Sequence, residues 1–319
     1  MHDVPVSVVQ VGSVGARLAV PAGVGATAIL NFHRIESPTG LEITRLAPAR
    51  FCRFLDLIDQ SGLAVARSGG NPLDPQNRVV LTFDDGFASI AHRALPEIQG
   101  RGWTAIVFLI AGSVGKTDDW DVRLLGRRRP MMNWDDIRRW SDAGIEFGSH
   151  TMSHADLTAL SDQALKSELI DSKSAIEDAL GQHVRFLSYP FGRHNACVQQ
   201  AAAAAGYDAA FATGGRLWSR TDKWAIPRVG ISALTSLLEF RTLLRAVADT
   251  DGGEGQVWRQ RWPGRVFESL NAGSATIGNW RRARRSRLHP DDHVSPIDLP
   301  ACDTSQNEVT GAAGSRSTT

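Results

Sequence analysis

Two adjacent carboxylates, Asp84 and Asp85, follow the apolar run Val79–Phe83 in the segment Leu81-Thr82-Phe83-Asp84-Asp85-Gly86. Neighbouring anions repel, and both stay ionised only where a cation or a set of donors compensates them. A metal ion is the economical compensation, and Gly86 lets the backbone turn sharply and pass close to a ligand. An Asp-Asp-Gly turn at a strand end would explain the same residues without any chemistry. A second segment, Gly148-Ser149-His150-Thr151-Met152-Ser153-His154, also follows a predicted strand. On a helical turn two histidines four residues apart lie on one face and can share a metal, although alone they read equally as a solvated pair. One carboxylate with two imidazoles suits a divalent first-row ion with open coordination positions. The third segment, Ser188-Tyr189-Pro190-Phe191-Gly192-Arg193, reads alone as an ordinary turn; beside the other two it could wall a cleft and direct a backbone amide into it.

All three segments stand at the C-terminal ends of predicted strands, the edge where sites form in parallel α/β folds. Strands are expected at 26–32, 79–83, 104–110, 145–148, 184–188, 207–211 and 225–231. Helices are expected at 48–58, 88–98, 133–143, 161–180, 196–205 and 234–247, with Asn133 and Ser161 as N-caps and Gly144, Gly181 and Gly206 as terminators. This alternation implies a mostly parallel sheet with helices outside. By pattern alone, about seven strands fit a closed barrel and an open doubly wound sheet almost equally well.

The 319 residues carry 35 Lys+Arg against 34 Asp+Glu, so no global field favours nucleic acid or an anionic membrane. Cys52, Cys197 and Cys302 are far apart and follow no CxxC spacing, which argues against a cysteine metal cage and a disulfide framework. No apolar run approaches the roughly 20 residues of a membrane helix. Met1–Val11 lacks the basic and apolar segments of a secretory signal, so a cytoplasmic location is expected. The chain divides into a lead segment (1–25), the α/β domain (26–250), a basic extension with Trp258, Trp262 and Trp280 (251–288), and a polar tail (289–319) expected to be disordered. The RRARRSR run, Arg281–Arg287, reads first as a solvated helix end, and otherwise as a weak contact for an anionic surface or for nucleic acid.

TFDDG and HTMSH, in this order and followed by Pro-aromatic-Gly, make residues from about 26 to 244 resemble the polysaccharide deacetylases (carbohydrate esterase family 4, the NodB-homology domain). The resemblance implies a distorted (β/α) barrel of about seven strands and metal-dependent removal of N-acetyl groups from amino sugars in an oligo- or polysaccharide. It implies that Asp84 is the general base and that Asp85, His150 and His154 hold a divalent metal, usually zinc. The Phe191 N–H would be an oxyanion donor, and Tyr189, Pro190 and Phe191 would line the sugar groove.

Two departures from the family pattern carry expectations of their own. Ser188 stands where the family has an Arg oriented toward the base, so another arginine must serve; Arg34, Arg185, Arg193 and Arg228 are the candidates, with Arg34 and Arg228 foremost. The C-terminal Leu-His element that usually supplies the general acid is missing, whereas Ile29-Leu30-Asn31-Phe32-His33 lies on the first predicted strand. In a closed barrel the first and last strands are neighbours, so this arrangement resembles the circularly permuted subgroup with His33 as the acid; His33 could equally just end a buried strand. Two other readings share the fold: hydrolysis of another linear or cyclic amide, and a non-catalytic carbohydrate-binding module.

Overall fold

The computed structural model describes residues 25–37, 43–118, 128–220 and 222–249. The expected extension 251–288 with Arg281–Arg287, the tail 289–319 and nearly all of the lead segment lie outside these residues. Seven strands alternate with helices: β1 (Ala28–Phe32), β4 (Val79–Phe83), β5 (Ala105–Leu109), β6 (Glu146–Ser149), β7 (Phe186–Ser188), β8 (Ala209–Thr213) and β9 (Ile226–Gly230). They form a closed barrel in that order, every neighbouring pair parallel. Closure joins the first strand to the last through Leu30 with Val229 and Asn31 with Gly230, which selects the barrel over the open sheet.

Side chains on each strand alternate between two apolar environments, as the period of two requires. Ile29, Val80, Ile106, Phe108, Phe186, Phe211 and Ile226 fill the barrel interior. Leu30, Phe32, Leu81, Phe83, Val107, Leu109 and Leu187 face outward against the helices α1 (Pro48–Ser61), α3 (Trp134–Asp142), α4 (Asp162–Leu180), α5 (Ala196–Ala204) and α6 (Leu237–Asp249). The helix ends follow from local chemistry. The side chains of Asn133, Ser161 and Asn195 each accept a bond from a first-turn N–H, and Gly62 and Gly181 close α1 and α4 in the left-handed conformation.

Two local expectations are corrected. The helix expected over 88–98 is a π-helical turn, Ile90–Ala94, followed by the short α2 (Leu95–Gln99). Pro96 has no N–H and its ring crowds the carbonyl of His92, so the turn widens and Leu95 N–H reaches back to Ile90 O. A small pair, β2 (Arg34–Ile35) with β3 (Arg45–Leu46), was not foreseen, because two-residue strands carry no periodicity. Cys52 is a free thiol and Cys197 is in a disulfide, a single bridge rather than a framework. Among the described residues no helix is long and apolar enough to cross a membrane.

The interior leaves no room at Gly148 on β6. A Cβ there would sit 2.7 Å from two ring carbons of Phe108 and 2.8 Å from the carbonyl oxygen of Phe186. Gly148→Ala is expected to destabilise the barrel by about 1–3 kcal/mol, as overpacking does. Urea unfolding is the measurement, and an unchanged midpoint would show that the interior relaxes around the added methyl.

Candidate active site

The inward positions of the strands change from apolar to polar along the chain direction. Ile29 is followed by Asn31 and His33, Val80 by Thr82 and Asp84, Phe186 by Ser188, and Ile226 by Arg228. Phe108 and Phe211 form the floor, with the Arg228 guanidinium 5.5 and 6.0 Å from their ring centroids. The C-terminal mouth of the barrel therefore collects polar groups above a dry aromatic base.

Asp84 and Arg228 form a two-pronged ion pair in this mouth. Arg228 Nη1 donates to Asp84 Oδ1 at 2.7 Å and Nη2 to Oδ2 at 2.8 Å. Both residues are almost completely buried, at 3% and 2% exposure. Asn31 Nδ2 adds a bond to Asp84 Oδ2 at 3.0 Å, and Nη2 also donates to Ser188 Oγ at 2.8 Å. Nη1 further reaches Asn31 Oδ1 at 3.2 Å and Thr82 Oγ1 at 3.4 Å. Burial pushes the Asp84 carboxyl up, but the charge and hydrogen bonds of Arg228, with His150 and His33, outweigh it and hold the group well below the usual carboxylate range. Of the arginine candidates, Arg228 is the one brought to Asp84. Arg34 instead bonds Thr44 at 3.3 Å and lies over Phe87, Arg185 pairs with Asp208, and Arg193 pairs with Asp156.

Asp85, His150 and His154 are buried together, with one ligand atom from each lying within 4.8 Å of the others. His150 Nε2 and His154 Nε2 are 3.7 and 3.8 Å from Asp85 Oδ1. His150 Nδ1 is 2.8 Å from the backbone oxygen of Ser188, which can only accept, so Nδ1 carries the proton and Nε2 presents its lone pair to the cluster. Burial, the largest cause, lowers the His150 pKa, the direction that favours the neutral imidazole a metal would need. The donor set and spacing fit a divalent cation. The two histidines do not lie on a helical turn as expected; they stand on an irregular loop after β6 with left-handed backbone at Thr151 and His154. Asp85 and Phe191 are left-handed too, so four of the five described non-glycine residues with positive φ belong to the three motif segments. Strain of about 1–3 kcal/mol per such residue persists only where surroundings enforce it.

The third segment differs from expectation in part. Phe191 is half-buried and its ring packs edge-on against His154 at 4.6 Å. Tyr189 and Pro190 are buried, and the Tyr189 hydroxyl donates to Trp224 O at 2.9 Å, so these two support the wall from behind rather than line an open groove. His33 stands directly after β1, close enough to Asp84, Arg228 and His150 to feel their charges. Loss of solvent around its ring is the main cause lowering its pKa to about 4, with Arg228, His150 and Arg34 acting the same way and Asp84 opposing. Asn31, Thr82 and Ser188 were not foreseen as partners of this network. A polar residue inside an otherwise apolar strand, as in Ala28–Phe32 and Val79–Phe83, is the signal that marks two of them.

The sequence model of the family described as "Polysaccharide deacetylase" matches residues 72–210. YxkH of Bacillus subtilis (strain 168), assigned by name to the polysaccharide deacetylases, is 30% identical over 155 residues, covering 48% of this chain and 51% of its own. The poly-beta-1,6-N-acetyl-D-glucosamine N-deacetylase of Escherichia coli (strain K12) is 26% identical over 206 residues, covering 55% of this chain and 30% of its own. The chain thus spans about half the length, or less, of these curated relatives. Among solved structures, the Streptococcus pyogenes deacetylase PplD in complex with acetate superposes with a TM-score of 0.59 at 21% identity, covering 70% of this chain and 98% of that one. That likeness establishes a shared fold.

Replacing Arg228 with Met would strand a buried carboxylate, at a cost of about 3–5 kcal/mol. The depressed Asp84 pKa stabilises the wild type above the unfolded carboxyl value, and this contribution is lost only as pH falls through the folded value. Without Arg228, burial dominates and the Asp84 pKa rises. The destabilisation in R228M should therefore be largest near neutral pH and shrink toward about pH 4 as the stranded group protonates. Urea unfolding at several pH values measures this, and a pH-independent difference would contradict it.

Proposed function

We propose that this barrel hydrolyses the N-acetyl group of an amino sugar in an oligo- or polysaccharide, in keeping with the match of residues 72–210 to the polysaccharide deacetylase family model. The observation that carries the reading is the convergence, in one barrel mouth, of a buried carboxylate clamped by Arg228 and the buried Asp85, His150 and His154 cluster. The deacetylase domain is taken to span 26–250. The strand that His33 follows, β1, comes first in the chain and lies between β9 and β4, which supports the circularly permuted arrangement.

A divalent cation held by Asp85, His150 and His154, zinc being the ion the family resemblance implies, would supply Lewis-acid polarisation of the acetamide oxygen. Asp84 is the general base. Its Oδ2 accepts from both Arg228 and Asn31, whereas Oδ1 accepts only from Arg228 among the described residues and keeps a lone pair for the attacking water. The paired guanidinium fixes the carboxylate plane, so the base is oriented before substrate arrives. The N–H of Phe191 is the second donor for the developing oxyanion. His33 is neutral at rest, and we assign it to carry a proton to the leaving amine after taking one up within the cycle. Phe191 and His154, in edge contact, form one side of the acetyl site.

Acetate release from chitooligosaccharides and from poly-N-acetylglucosamine, with added divalent metal, tests the proposal. Asp84→Asn is expected to lower release by about 10²-fold or more while retaining bound metal. Bound metal with no Asp84-dependent release from any sugar would redirect the site to another linear or cyclic amide. His33→Ala should cost about 10²–10⁴-fold; a rate within threefold of wild type would remove His33 from the mechanism.

A further inference from the structure

The two histidines of the cluster stand on a strained loop, and the residues before each of them are held by one helix. Ser149 precedes His150, and its Oγ lies 2.8 Å from Ser172 Oγ on α4. Ser172 Oγ also donates to Glu168 O at 2.7 Å, which leaves it to accept from Ser149. Ser149 Oγ in turn accepts the Thr151 N–H at 3.0 Å. The hydrogen bonds therefore run in one direction, from Thr151 N–H through Ser149 and Ser172 to the Glu168 carbonyl. Ser149 and Ser172 are fully buried, and Tyr207 closes the network by donating to Leu169 O at 2.9 Å. Ser153 precedes His154, and the Glu168 carboxylate accepts from it twice: from the backbone N–H at 2.9 Å, and from the hydroxyl in a short bond.

Glu168 and Ser172 are four residues apart, one above the other on the face of α4 turned to the loop. We propose that they act as a two-point clamp that sets the separation of His150 and His154, with Glu168 the principal positioning residue for the metal site. This rests on reading Asp85, His150 and His154 as metal ligands. The physical argument is one of enforcement. Thr151 and His154 hold φ of 67° and 60°, which side-chain-bearing residues adopt only under constraint. The Thr151 N–H is fixed by the Ser149 arm of the clamp, and the residue before His154 by the Glu168 arm. Released at Ser153, the loop can relax to ordinary backbone, and His154 Nε2 then leaves its place 3.8 Å from Asp85 Oδ1. The carboxylate suits this task because both its oxygens accept, so one side chain fixes the backbone and the side chain of Ser153 together.

The experiment measures Co²⁺ in the full-length protein, by visible absorption and by affinity against a chelator, for wild type, Glu168→Ala, Glu168→Gln and Ser153→Ala. Far-UV circular dichroism and melting of the metal-free proteins report folding separately. Glu168→Ala is expected to weaken Co²⁺ binding by about 10–100-fold, the usual cost of losing a residue that orients ligands, and to change the absorption bands. Glu168→Gln, which keeps one acceptor, should recover part of the affinity. Ser153→Ala, which keeps the backbone bond, should fall between Glu168→Ala and wild type and serves if Glu168→Ala does not fold. Affinity within threefold of wild type and unchanged bands in folded variants would overturn the clamp while leaving the metal reading intact. A wild type that binds no Co²⁺ would overturn both.

Discussion

The buried pair Asp84–Arg228 is the interaction on which the rest of the mouth depends. A carboxylate at 3% exposure is tolerable only when its charge is met, and here a single guanidinium meets it with two parallel bonds. Arg228 in turn is a buried cation, and it is shared among Asp84, Asn31, Thr82, Ser188 and the backbone of Ala212. These partners come from β1, β4, β7 and β8, so the charge balance of one aspartate fixes the inward polar position of four strands relative to β9. Ser188 is small enough to let the longer side chain cross from β9. The absence of an arginine from the third motif is thereby a change of donor strand rather than a loss of the charge that orients Asp84.

Most of the architecture was legible because barrel strands buried on both sides are short apolar runs and the helices between them carry caps. Val79–Phe83 and the caps Asn133 and Ser161 are found where the residue types put them. The closure of the barrel was not legible in periodicity, which does not encode strand order; the family resemblance of the motifs was what implied it. The three motif segments could be read from spacing, but not the strained backbone that makes them converge. HTMSH reads as one face of a helix, whereas the hydrogen bonds to Ser149, Ser172 and Glu168 hold it as a loop. The family resemblance implies that Tyr189 lines the groove, yet its hydroxyl finds a backbone acceptor behind the wall and its ring is buried.

The site also illustrates how strain is confined. Asp85, Thr151, His154 and Phe191 occupy left-handed backbone, all of them in the turns that follow β4, β6 and β7. Gly86 and Gly192 absorb the neighbouring positive φ without penalty, and a Cβ at Gly192 would collide with Thr213 at 2.0 Å. Regular strands below supply rigidity, and the irregular turns above aim the side chains.

Closure of β1 on β9 has a consequence for how the molecule reaches its native state. The bond from Arg228 to Asn31 spans 197 residues, and the pair with Asp84 spans 144. Contacts of such separation form only after the intervening chain has been gathered, and they slow folding accordingly. During synthesis the Asp84 carboxylate emerges long before its guanidinium, so the mouth stays hydrated and the carboxylate unaligned until the last strand docks. Alignment of Asp84 and completion of the barrel are therefore the same event, and a nascent or truncated chain ending before β9 would carry every motif of the sequence without the guanidinium that orients this carboxylate.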